Sequence, residues 1–142
     1  PRVRRQRQMC IRDSSTAAYF KYSLEMLDID ISSRVFKSNW PIYTNTNDTP
    51  PTKYLENAKV KKSFVANGTV IDGTIENSII GREVIIGKGA VIKNCVIFSG
   101  SKIAPNAVLE NVIIDKRAKV EKKLELKGTE NNPLYIKEGD RV

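Results

Sequence analysis

Histidine is absent from this 142-residue chain. Imidazole is the usual general base near neutral pH and the commonest transition-metal ligand. No chemistry that rests on either role is open to these residues. Cysteine is nearly as scarce, with only Cys10 and Cys95, which is not the framework of a disulfide-stapled secreted domain. No apolar run reaches membrane-spanning length and no signal-peptide pattern is present. The expectation is a cytoplasmic protein with no membrane partner. Acidic residues are outnumbered, giving a net charge of +8, but the excess is uneven. Five arginines stand against one aspartate in the first 14 residues, so half of the excess lies there.

What the chain has in abundance is one small repeated unit between Ser63 and Val120: a small side chain, any residue, then an aliphatic one. It recurs as Ser63/Val65, Thr69/Ile71, Gly73/Ile75, Ser78/Ile80, Val84/Ile86, Ala90/Ile92, Cys95/Ile97, Ser101/Ile103, Ala107/Leu109, Val112/Ile114 and Ala118/Val120. From Ile80 the aliphatic members advance by steps of 6, 6 and 5, a superperiod of 17 residues. It is visible in Ile75-Glu-Asn-Ser-Ile-Ile80, Ile92-Lys-Asn-Cys-Val-Ile97 and Leu109-Glu-Asn-Val-Ile-Ile114. A fixed short period marks a solenoid, whose units bury their apolar side only by stacking. Residues two apart share a strand face, so each pair sends a small and a large side chain inward. Steps of five and six hold no single helical face, and Val, Ile and Thr dominate. The spacing predicts an all-β domain, a parallel β-helix of three strands per coil. It resembles the hexapeptide families, which implies a left-handed coil. Hexapeptide acyltransferases use a histidine base and hexapeptide carbonic anhydrases three histidine ligands, so neither chemistry is available.

Several positions inside the repeat follow from this register. Cys95 fills the inward slot held by Ser78 and Val112 in the coils on either side, a packing role. Asn77, Asn94 and Asn111 recur at the five-residue corner, where asparagine tolerates left-handed backbone geometry and can bond along the stack. Gly81 and Gly87 are expected to turn other corners. The outward members give one face an apolar stripe of Phe64, Ile79, Val96 and Ile113. Such a stripe is seldom left wet, so these four are the subunit-interface candidates, with coverage by the linker or by a preceding domain as the alternative.

The chain divides into four stretches. Residues 1–14 show no apolar period and resemble translated sequencing-adapter sequence; the alternative is a basic arm for nucleic acid, disfavoured because no aromatic residue interleaves with the arginines. No nucleic-acid partner is expected. Residues 15–28 read as one helix, capped by Ser15 or Thr16 and spaced by Ala17, Phe20, Leu24 and Leu27. With nothing to pack on it would be marginal, so it is expected to have lost its partner. Residues 29–56 read as an extended linker stiffened by Pro50 and Pro51; its more apolar part, Trp40 to Thr44, should lie against something. Residues 57–142 form the β-helix domain, with a last strand at Leu134-Tyr-Ile136 and a free end from Gly139.

Three strings carry a more specific resemblance: Asn39-Trp-Pro-Ile-Tyr-Thr44, Pro50-Pro-Thr-Lys-Tyr54 and Ile113-Ile-Asp-Lys116. With the coil motifs and Ser15-Thr-Ala-Ala-Tyr-Phe20, they make residues 15–142 resemble the C-terminal part of bacterial glucose-1-phosphate adenylyltransferase (ADP-glucose pyrophosphorylase), in its GlgD-type regulatory form. That resemblance implies a parent making ADP-glucose and pyrophosphate from ATP and glucose 1-phosphate in glycogen biosynthesis. It implies Mg2+ for the parent but no cofactor, metal site or catalytic residue within this chain, which should be inactive alone. It implies a hetero-oligomer with a GlgC-type catalytic subunit and allosteric control by phosphorylated anions. Lys53 and Lys137 are the effector-anion candidates; the other lysines read as solvated corners. The alternatives are the β-helix tail of another sugar-nucleotide pyrophosphorylase, or a non-catalytic scaffold protein.

Overall fold

The computed structural model describes residues 15–37, 39–43, 48–122 and 124–142; the arginine-rich stretch at 1–14 lies outside them. Among the described residues, fifteen strands of two or three residues make three parallel sheets, each strand pairing with the one three places on. The first sheet stacks β1 (Lys53–Tyr54), β4 (Val70–Ile71), β7 (Ile85–Ile86), β10 (Lys102–Ile103) and β13 (Lys119–Val120). The second stacks β2 (Lys59–Lys61), β5 (Thr74–Glu76), β8 (Val91–Lys93), β11 (Val108–Glu110) and β14 (Glu125–Lys127). The third stacks β3 (Phe64–Val65), β6 (Ile79–Ile80), β9 (Val96–Ile97), β12 (Val112–Ile114) and β15 (Leu134–Ile136). This is the β-helix that the period predicts.

The inward register holds without exception from Thr69 to Val120. Ile75, Ile92 and Leu109 stack in one column, and Ile80, Ile97 and Ile114 in another. All are at most 1% exposed, and the small members Thr69, Ser78, Ala90, Cys95, Ser101 and Ala107 are fully buried. Burying each aliphatic member stabilises by roughly 1.5–3 kcal/mol. Ser63 and Val65 are only half-buried because their coil ends the stack. At that end the inward positions of β1 and β2, Tyr54 and Val60, stay 57% and 37% exposed.

Most corners among the described residues spend one residue in left-handed geometry. The corner before the third sheet uses Lys62, Asn77, Asn94 and Asn111, at φ +44 to +54. The corner after it uses Gly68, Glu83, Gly100, Arg117 and Gly139, and the remaining corner uses Gly89 and Asn106. Gly81 and Gly87, expected to turn corners, do something else. They precede the left-handed residues by two, and a Cβ on either would come within 2.7 Å or 2.5 Å of the next coil's backbone at Ser99 or Pro105. Their role is close stacking, not turning.

Two coils depart from 17 residues. Val70 pairs with Ile85 at an offset of 15, because Asp72 and Gly73 alone make a corner that elsewhere takes four residues. Ile113 pairs with Tyr135 at an offset of 22, because a small turn closed by Thr129 and Asn132 is inserted before β15. The end expected to be free is paired. Lys119 N–H donates to Asp140 O at 2.8 Å, Val142 N–H to Lys119 O at 2.9 Å and Glu121 N–H to Val142 O at 2.7 Å.

The first helix, α1 (Thr16–Glu25), is capped by Ser15, whose hydroxyl accepts from Ala18 N–H at 3.1 Å. The stretch beyond it, read as linker, begins with a second short helix, α2 (Ile29–Val35), capped by Asp28 through Asp30 N–H at 2.9 Å. The expected packing of Trp40 to Thr44 is not found among its described members: Trp40, Ile42 and Tyr43 are 56–91% exposed.

Candidate assembly faces and charged columns

The outward column of the third sheet runs Phe64, Ile79, Val96, Ile113 and Tyr135 in register. Helix α1 lies across it. Phe20, 2% exposed, packs on Val96 and Ile113, with Leu24, Ile79 and Phe98 at the margins, and Tyr19 stacks on Phe98 with ring centroids 6.3 Å apart. The helix therefore has its partner within this chain, contrary to the sequence expectation. Of the four interface candidates, Val96 and Ile113 are sealed under α1, Ile79 is half-buried, and Phe64 remains 46% exposed.

Lys53 and Lys137, the two effector-anion candidates, are not brought together. Lys53 lies on β1 in the first coil and Lys137 follows β15 in the last, both exposed. Four coil spacings of about 4.8 Å separate them along the axis, roughly 19 Å, too far to share one phosphate. Around Lys137 the last strand is clasped to the preceding coil. Tyr135 OH donates to Asp115 Oδ2 at 2.5 Å, and Arg117 pairs with Glu138. The tyrosine bond holds the Asp115 carboxyl below its ordinary range, helped by Lys116 N–H. The same bond pushes the Tyr135 phenol up. Asp115 and Tyr135 line a cavity of about 350 Å3 with Ser15, Thr16, Tyr19, Phe98 and Ile113.

Two charged columns run along the other sheets, and only the one on the second sheet went unread in the sequence. On the second sheet Lys61, Glu76, Lys93, Glu110 and Lys127 stand in register, alternating in sign through five coils. Lys61 reaches Glu76 at 3.6 Å, while Lys127 turns to Glu125 on its own strand at 2.6 Å. On the first sheet the outward column is Lys53, Val70, Ile85, Lys102, Lys119 and Arg141, so three cations stack directly on one another. The middle members of the repeated pairs already place Val70, Ile85, Lys102 and Lys119 on one outward face; the alternating column lies one residue beyond each inward aliphatic, and stepping the superperiod along that position would have found it.

Reactive chemistry is scarce. Burial pushes the Cys95 thiol up to about 12, leaving no thiolate to act as nucleophile. Among the described residues no three of His, Cys, Asp and Glu converge as a metal would need.

Stacked three-stranded coils, small-and-aliphatic pairs and left-handed asparagine corners define a hexapeptide-repeat β-helix. The sequence model of the family described as GlmU-like, C-terminal hexapeptide matches residues 50–132, and the chain belongs to that family. Its relatives include glycogen biosynthesis proteins and glucose-1-phosphate adenylyltransferases. It is 42% identical to the glycogen biosynthesis protein GlgD of Bacillus subtilis over 125 residues, 88% of this chain and 36% of that protein. It is 53% identical to GlgD of Geobacillus stearothermophilus over 70 residues, 49% of this chain and 20% of that protein. It is 31% identical to the glucose-1-phosphate adenylyltransferase of Corynebacterium jeikeium over 112 residues, 77% of this chain and 28% of that protein. The chain thus spans about a third or less of the length of these relatives. The resemblance carried by the linker strings and coil motifs holds, and another sugar-nucleotide pyrophosphorylase or an unrelated scaffold is not favoured. Among the described residues no helix is long and apolar enough to cross a membrane.

Proposed function

We propose that this chain is the β-helix portion of a GlgD-type regulatory subunit of glucose-1-phosphate adenylyltransferase, acting in cytoplasmic glycogen synthesis. It assembles with a GlgC-type catalytic subunit and carries no catalysis of its own. The observation that supports this most is the 42% identity to a GlgD protein across 88% of the chain. The chemistry agrees: no histidine, a protonated buried thiol, and side chains spent on stacking. In this reading residues 15–28 close a preceding nucleotidyltransferase domain, which would hold the Mg2+ and both substrates, and residues 29–56 lead into the β-helix. Effector anions would meet the cationic corners, with Lys137 better placed than Lys53 because Lys116 lies one coil away at the same corner. The test is to purify the chain and mix it with the glucose-1-phosphate adenylyltransferase subunit of the same genome. A complex by light scattering and no ADP-glucose synthesis by the chain alone are expected. Failure to associate overturns the reading.

A further inference from the structure

The first and second sheets treat charge in opposite ways. On the second sheet each coil sets a cation beside an anion, so that neighbours along the column attract, and Lys61 pairs with Glu76 at 3.6 Å. On the first sheet Lys102, Lys119 and Arg141 stack as neighbours about 4.8 Å apart. None of the three forms an ion pair with another described residue. Glu121 and Asp140 flank the column in sequence without pairing to it. Like charges directly opposite in adjacent strands repel, and the fold does not require them, since the same coil period yields alternation on the neighbouring sheet. Next to the cations stands Ile85, 43% exposed, the barest aliphatic residue among the outward positions between the end coils. A cationic strip joined to an apolar centre gains free energy when an acidic surface with an apolar patch settles on it, and such complementarity sets partner choice and encounter rate.

We propose that the outward face of the first sheet, through Lys102, Lys119, Arg141 and Ile85, is the surface that docks the acidic face of a catalytic adenylyltransferase subunit. This rests on the assembly role argued above and gives it a location. It also moves the interface off the third sheet, where α1 already covers Val96 and Ile113. A polypeptide fits better than a nucleic acid, because no aromatic side chain stands in the column to stack bases.

The test compares three forms of the whole chain: the unaltered protein, the K102E/K119E double variant, and a K59E/K88E variant with the same change in net charge on other surfaces. Each is titrated with the purified catalytic subunit, and each is also tested against a single-stranded oligonucleotide. The expected result is binding by the unaltered chain and by K59E/K88E, at least tenfold weaker binding by K102E/K119E, and a salt dependence that shrinks in that variant. Equal binding by all three forms overturns the placement while leaving the assembly role intact. No binding by the unaltered chain overturns the assembly role and the placement with it. Oligonucleotide binding lost in K102E/K119E, without subunit binding, assigns the column to nucleic acid and overturns the proposal.

Discussion

Asn77 donates from Nδ2 to Oδ1 of Asn94 at 2.8 Å, one coil and 17 residues along the chain. Both residues sit at left-handed φ, +47 and +48, so each serves the corner twice, through its backbone and through its amide. The two roles can be separated. Asn94→Gly keeps the backbone geometry and loses the side-chain bond, worth about 1 kcal/mol. Asn94→Ala loses the bond and adds the left-handed cost of about 1–2 kcal/mol. Urea denaturation should rank Ala below Gly by that second amount. Equal losses would mean that backbone geometry is not what selects asparagine.

Cys95 shows how far the inward slot is defined by size. Its Sγ lies 3.0 Å from Lys93 O, and its N–H donates to Ser78 Oγ at 3.0 Å. Ser78 makes the same contact to Glu76 O at 2.8 Å one coil earlier. Cys95→Ser therefore repeats a solution the chain already uses and should change stability by less than about 1.5 kcal/mol. In a Cys10→Ser background, the Cys95 thiol should resist a thiol reagent at pH 8 until the protein is unfolded. Rapid native-state labelling would contradict its burial.

The alternating column predicts couplings of one sign and the cationic column couplings of the other. A double-alanine cycle at Lys93 and Glu110 should give an attraction of roughly 0.2–1 kcal/mol, and the same cycle at Lys102 and Lys119 a repulsion of similar size. Both should fade in 1 M salt, where screening acts within about 3 Å. Matching signs in the two cycles would remove the contrast between the sheets.

The inward columns were legible because size and spacing repeat together, and each pair from Thr69/Ile71 to Ala118/Val120 falls where the period puts it. What was hidden depended on contacts that no local pattern carries. Helix α2 spans only seven residues, Ile29–Val35, too few for an apolar period to emerge, and its start is set by the Asp28 cap. The seat of α1 on Val96 and Ile113 joins residues far apart in sequence, so the helix read as partnerless. The tail from Asp140 to Val142 pairs through its backbone, which composition does not encode. The anion candidates Lys53 and Lys137 were chosen from motif position alone, and only the coil count shows that opposite ends of the stack hold them.

The Asp115–Tyr135 clasp should leave a mark on the acid side of the stability profile. The Asp115 carboxyl titrates below its ordinary value of 3.8 in the folded chain. Its contribution is therefore complete above the unfolded value and is lost as pH falls through the lower, folded one. Tyr135 is the mirror case: raised above 10.0, it contributes fully below that value and loses its part as pH rises through the folded one. Tyr135→Phe should return the Asp115 carboxyl toward 3.8 in an NMR titration and flatten both flanks. An unmoved Asp115 in that variant would show that the tyrosine is not the cause.

Phe20 decides whether α1 belongs to the β-helix or merely touches it. The ring is 2% exposed against Val96 and Ile113, while Tyr19 and Tyr22 on the same helix are 44% and 54% exposed. If the seat holds the helix in place, Phe20→Ala should cost about 3–5 kcal/mol at that contact. A ten-residue helix without its anchor is too short to persist, so its amides should lose hydrogen-exchange protection while Ile75, Ile92 and Leu109 keep theirs. Collapse of protection in those inner columns as well would make α1 part of one cooperative unit with the coils. Retained protection in α1 would mean that Leu24 and the Tyr19–Phe98 stack suffice to seat it.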